Sequence, residues 1–305
     1  MSAFDRLQAL LQDPPPEFAF EITVDGIAMS RTRPPATVQF AALPHGVIVP
    51  SPLKDNVQDA AAFAAVVAGL VPAASGRGRR TAALILPDNS MRVAIVDFAT
   101  LPDKEEERLA LIKFRLRKTL PFDIDEAALS YYVQPGNKVL AAVAPVEIIA
   151  RYEAPFRAAG LHPGLVTSSS VAMLELLPVK GSLLVAHLSR GALTVIALDN
   201  GVVSLARSLE LAHGSADPLE EISADIYPTL VYIEDQTGAR PEQVLIAGFG
   251  DDADAAATRL AVELDIAVHP LPGSHLGLSG YLQSLSSSSS SPRPARPKPS
   301  RKAAA

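Results

Sequence analysis

One supersecondary pattern occurs twice in the chain, about half its length apart, and it limits the possible folds more than any other feature. FAFEITVDGIAMSRT spans residues 18–32 and LLVAHLSRGALTVIALDNGVVSLARS spans 183–208. Each reads as an apolar strand, a short polar turn and a second strand. In the first, Phe18, Phe20 and Ile22 alternate before a turn at Val24-Asp25-Gly26, whose glycine tolerates a positive φ. In the second, Asn200-Gly201 is a strong hairpin signal. Each is followed by a further strand and helix: VLIAG, the turn GFGDD, a helix through Leu260 and Leu264, and IAVHP close the second half. The pattern predicts an internal duplication of an α/β unit. With 305 residues, 48% of them hydrophobic, the chain can bury two cores.

Between the repeats the order changes. A helical stretch follows Asp55 (Val57, Ala61, Ala64, Val67, Val71), and Gly76 to Arg80 reads as a basic connector and boundary. TAALILP and MRVAIVDF read as strands flanking a turn at Pro87-Asp88-Asn89-Ser90, which places Asp88 in a hairpin turn. A helix starts at Leu101-Pro102-Asp103, with capping-box spacing between Asp103 and Glu106, acids in its first turn and bases in its last. Two more strands and a helix from Pro145 to Gly160 complete a small α+β unit. The expected division is 1–80 with 161–180, an insert over 81–160, a second unit over 181–283, and a tail over 284–305. Asp217-Pro218 caps a long helix whose buried face is Leu219, Ile222, Ile226, Leu230 and Ile233. Phe4, Leu7 and Leu11 fit an amphipathic helix over 2–12.

Charge and composition narrow the function classes. The tail carries Arg293, Arg296, Lys298, Arg301 and Lys302 and no acid; without them the body has 22 basic against 33 acidic residues. An acidic body argues against nucleic acid as a partner. The serine- and proline-rich basic tail is expected to be disordered, either a solubilising end or a weak attraction to anionic lipid. There is no cysteine, no secretory signal and no apolar run long enough to span a bilayer, so a cytoplasmic protein is expected. P-loop, His-Glu-x-x-His and Gly-x-Ser-x-Gly motifs are all absent.

Two halves with the same hairpin, facing each other, with an α+β insert in the first, follow the plan of the actin-like ATPase superfamily, duplicated ribonuclease H-like halves around a cleft. ALILPDNSMRVAIVDFATLP, the acidic-headed helix and LPFDIDEAALSYYV, then HLSRGALTVIALDNG, EEISADIYPTLVYIEDQTG and VLIAGFGDD, resemble the PilM-type proteins of bacterial type IV pilus assembly. The cytoplasmic part of the type II secretion protein GspL is similar in the same way. The resemblance covers residues 17 to about 283.

In such a fold the two hairpin turns converge on one cleft, where Asp-x-Gly lets backbone amides and a metal meet nucleotide phosphates. Here the resemblance puts Glu21 and Thr23 at the first turn and His187 and Ser189 at the second, with Gly248 and Gly250 on the adenosine side. An imidazole does not replace a carboxylate at Mg²⁺, and β-carbons at Thr23 and Ser189 narrow the phosphate approach. The expectation is a degenerate cleft with no catalytic residue, no metal site and no required cofactor, with ATP and magnesium the weaker alternative. His187 also reads as an ordinary strand-end histidine, Gly248 and Gly250 as turn residues, and Ser168 to Ser170 as a helix start.

The resemblance then implies a scaffold: the N-terminal cytoplasmic peptide of a PilN-like inner-membrane partner lies between the first subdomain and the insert. Candidate groove residues are Ile85, Val93, Ile95, Leu109, Ile112, Lys113, Phe114, Leu116 and Arg117, of which most are expected in the core and about a third in the groove, with Lys113 and Arg117 either solvated or meeting an acidic peptide. Other pilus platform components are further partners, at the cytoplasmic face of the inner membrane. The alternatives are an active actin-like or sugar-kinase-like ATPase and a GspL-like secretion component.

Overall fold

A computed structural model describes residues 15–34, 36–73, 78–211 and 217–287. The helix expected over 2–12 lies outside the described residues, as does the tail from 288 on.

The duplication is visible in the sheets. The first half places β1 (Phe18–Ile22), β2 (Gly26–Arg31), β3 (Gln39–Ala42), β4 (Arg80–Leu86) and β8 (Leu161–Ser168) in the order β3-β2-β1-β4-β8. The second places β9 (Ser182–Ser189), β10 (Ala192–Asp199), β11 (Val202–Glu210), β12 (Gln243–Ala247) and β13 (Val268–Pro270) in the order β11-β10-β9-β12-β13. In both, three antiparallel strands are extended by two parallel ones. Asn200 and Gly201 both take positive φ, 47° and 78°, as the tight β10–β11 turn requires.

β1 is buried along its whole length because both of its faces are covered. Phe18, Phe20 and Ile22 enter a core with Phe63 of α1 (Ala60–Leu70) and with Ile148, Tyr152 and Phe156 of α3 (Val146–Ala158). Phe20 meets Phe156 edge-on at 4.8 Å. The opposite face is made of small residues, Ala19, Ala28 and Ala83, with Ile85. The chain's last described helix, α7 (Leu276–Ser287), lies against it through Leu278 and Tyr281. A Cβ on Gly280 would stand 2.1 Å from the Ala172 carbonyl of α4 (Ser169–Met173), so the two helices approach at the limit a bare backbone allows.

The second core is built by α5 (Pro218–Thr237) and α6 (Ala253–Leu264) on one face of the second sheet. Asp217 caps α5 as expected, accepting from the Leu219 and Glu220 amides. The insert is an antiparallel sheet β5-β7-β6, from β5 (Arg92–Asp97), β6 (Ala127–Val133) and β7 (Lys138–Pro145), with α2 (Glu105–Leu116) on one face. Its other face presents Ile95 and Leu140 to Leu198 and Val203 of the second half. There Gln134 donates to the Val203 carbonyl at 3.0 Å and accepts from the Val203 amide at 2.8 Å.

Several expected boundaries move. β4 sits in the middle of the first sheet and α3 packs on the first core, so the insert is 92–145 rather than 81–160. Residues 87–90 form a 3-10 turn between two different sheets, not a hairpin turn. α7 crosses back onto the first sheet, so the second unit ends before it, and the helix continues to Ser287, past the expected tail start at 284. α1 is capped by Asp59 rather than Asp55, and α2 begins at Glu105 after Lys104, without the Asp103 box. Gly26 keeps a negative φ; a Cβ there would lie 2.3 Å from the Phe40 ring, so its lack of a side chain serves packing.

Candidate functional site

The two hairpins do converge. In the first turn the Thr23 hydroxyl accepts from the Asp25 and Gly26 amides at 3.3 and 3.2 Å, so its side chain is used in shaping the turn. In the second turn Ser189 precedes Arg190 and Gly191, and the Arg190 guanidinium reaches Asp25 at 3.3 Å. That exposed ion pair spans the mouth between the halves.

Below it, the side chains at the two resemblance-derived positions are occupied by the protein itself. Glu21, 3% exposed, accepts from Ser169 Oγ at 2.6 Å and from the Gly277 and Leu278 amides at 3.2 and 2.9 Å. These amides open α7, so Glu21 serves as a remote cap where the helix presents unpaired donors and positive potential. The resemblance puts Glu21 at the first turn; it stands instead inside β1, as a buried acceptor beneath a helix.

His187 is the partner of a carboxylate from the other half. Its Nδ1 lies 2.9 Å from Asp88 Oδ2, and Asp88 Oδ1 accepts from the Ser170 amide at 2.8 Å. Asp88 is 2% exposed and His187 9%. Burial alone would raise the Asp88 pKa, but the hydrogen bond and charge of His187, with the Ser170 amide, hold the carboxyl below its usual range. Burial alone would lower the His187 pKa, but the hydrogen bond and charge of Asp88 and the charge of Glu21 carry it above the ordinary imidazole value. Ser168, as expected, starts a helix: its side chain accepts from the Val171 amide.

Gly248 and Gly250 line a pocket of ≈ 260 Å³ at the carboxyl ends of β12 and β13, with Phe249, Leu271 and Asp254 among its walls and no cationic side chain. Gly248 has φ 84°, and a Cβ there would stand 2.0 Å from the Leu188 carbonyl. Close strand approach thus explains this glycine without a ligand. Gly250 (φ 58°) has open space around it.

The nine candidate groove residues do not form one surface. Ile85 lies in the core under α7, and Ile112 is fully buried inside the insert. Lys113 and Arg117 both pair with Asp125, at 3.7 and 2.6 Å, while Phe114 is 65% exposed and Leu109 half-buried. Val93, Ile95 and Leu116 do come together, in a slot of ≈ 360 Å³ that also takes in Ala94, Val96, Arg115, Thr119 and Ala206. Residues from both faces of β5 line it, which sets it along that strand's unpaired edge. Asp88, Ser169 and Gly277 complete the cleft yet were not among the sequence candidates. Asp88 stands in LPDNS and looked like turn punctuation, and nothing local marks a helix start 256 residues beyond Glu21 as its partner.

No protein-family model and no curated protein sequence matches the chain. Solved structures do. A PilM–PilN type IV pilus biogenesis complex aligns with TM-score 0.67 and 19% identity over 85% of this chain and 89% of that one. A Bacteroides thetaiotaomicron protein with an actin-like ATPase fold and unknown function gives 0.53 and 12%, over 87% and 94%. The cytoplasmic domain of EpsL, an inner-membrane component of the type II secretion system of Vibrio cholerae, gives 0.53 and 8%, over 88% and 94%. The chain has the actin-like ATPase fold.

Proposed function

We propose that the protein is a non-hydrolysing scaffold of a pilus-type inner-membrane assembly platform, and that it works by holding an extended peptide from a PilN-like partner. The observation carrying this reading is that Glu21 and His187, which would have to face Mg²⁺ and a triphosphate, are bonded instead to α7 and to Asp88. The donor set also fits a metal poorly: magnesium takes carboxylates and water, whereas the floor offers an imidazole, and its two nearby acids are already bonded, Asp88 to that imidazole and Glu21 to Ser169 and the start of α7. Asp25, in the first hairpin's turn, pairs with Arg190 at 3.3 Å.

Similarity to a chain solved in a PilM–PilN complex supports the partner class. The edge of β5 without a strand partner supports the mode: an added strand gains backbone hydrogen bonds there, and Val93 in the slot gives it apolar register. Among the described residues no helix is long and apolar enough to cross a membrane, so membrane placement would come through the partner. The similarity to EpsL favours a second reading, the same role in a secretion system.

The test is fluorescence anisotropy with a synthetic N-terminal peptide of the PilN-like protein encoded in the same genome. Val93→Asp is expected to weaken binding at least about tenfold, and Phe114→Asp, outside the slot, to leave it within about twofold. Equal affinity of wild type and Val93→Asp would defeat the docking mode. Release of phosphate from ATP with magnesium, lost in His187→Ala, would defeat the non-hydrolysing reading.

A further inference from the structure

We infer that Asp88 and His187 form a proton-operated latch between the two halves, tight when the imidazole is charged and looser when it is neutral. Asp88 lies where the chain leaves the first sheet for the insert, and His187 lies near the end of β9 in the second sheet. Their 2.9 Å contact therefore crosses the cleft floor. Besides it, two polar bridges between the halves stand out among the described residues, and they behave differently. Gln134 to Val203 is neutral and indifferent to pH, and Arg190 to Asp25 is exposed and screened by salt. Only the buried pair combines shielding from salt with an imidazole, the side chain whose ordinary pKa lies nearest neutrality.

The groups facing the imidazole are few. Asp88 comes from the 3-10 turn and Glu21 from β1, and both favour the charged ring. Its strand neighbours are Thr194 on β10, whose hydroxyl is bonded to Ser208, and Ala247 on β12; Ser170 of α4 meets the pair only through its backbone amide. None of these three titrates.

The sign follows from the directions. With the folded His187 pKa above its ordinary 6.5, the charged pair contributes fully below that value and its contribution is lost as pH rises through the raised one. Asp88 is held below 3.8, so its part is present above that value and fades only as pH falls through the lowered one. The latch is engaged in mild acid and loosens toward alkaline pH. A scaffold on a membrane face would thereby respond to local proton concentration where an actin-like ATPase responds to nucleotide.

The chain has no cysteine, so two introduced ones label cleanly. With dyes on Ala65→Cys in α1 and Gln236→Cys in α5, both exposed, single-molecule energy transfer on the full chain reports the separation of the halves. Raising the pH from about 6 to about 9 is expected to increase the open population at least about threefold, in high salt as in low. The midpoint should coincide with the His187 titration followed by NMR in the same double-cysteine chain, with Asp88 and His187 intact. His187→Gln and Asp88→Asn should flatten the response. If either fails to fold, the coincidence of the two midpoints still decides. A separation constant across the range, a midpoint away from the imidazole titration, or an undiminished response in a folded His187→Gln would overturn the latch.

Discussion

Glu21→Ala is expected to lower the free energy of unfolding by about 3 kcal/mol, measured as a fall in the guanidinium midpoint at constant slope. The change strands three donors at once: Ser169 Oγ and the first amides of α7 lose their acceptor in a site without water access. It also opens a small cavity between β1 and α7. Glu21→Gln, which keeps one acceptor oxygen but brings an amide toward those donors, should cost about half as much. An acid kept for ligand chemistry behaves in the opposite way, because removing it usually costs little stability or adds some. A loss below about 0.5 kcal/mol would therefore return Glu21 to the list of candidate ligand-facing residues.

The second large effect concerns Gly248. Gly248→Ala combines a positive φ of 84° with a Cβ placed 2.0 Å from the Leu188 carbonyl, so either β12 or β9 must shift. Strain and displaced pairing together are expected to cost about 3–4 kcal/mol. Gly250→Ala provides the control: its φ is 58°, its surroundings are open, and about 1 kcal/mol is the expected loss. Thermal unfolding of the two variants side by side would separate them by several degrees. Equal losses would mean that the strand contact is slack and that Gly248 is small for another reason.

What could be read in advance followed how local each signal is. The hairpins, the Asp217 cap and the Asn200-Gly201 turn depend on a few adjacent residues, and their pattern recurs at the same place in both sheets. The placement of β4 could not be read locally: TAALILP and MRVAIVDF look alike as apolar runs, and only pairing with β1 shows that the first belongs to the central sheet. The helix α2 was legible from its ends and apolar spacing: Ile112 and Leu116 build the insert's core, while Phe114, offered as a groove residue, points outward. The resemblance supplied positions for the cleft, not the bonds that its side chains make. A carboxylate's role depends on its donors, and those of Glu21 come from α4 and α7, elements with no local mark of that contact.

The return of α7 to the first sheet also affects how the chain is made on the ribosome. The earliest strands are synthesised with the Ala19, Ala28, Ala83 and Ile85 strip uncovered, and that strip stays so until residues 276–287 have been translated. Glu21 waits just as long, an acid due for burial without the amides that will satisfy it. An N-terminal half made without residues 276–287 would expose that apolar face, so chaperones that shield apolar surface on nascent chains should be most needed before this helix emerges.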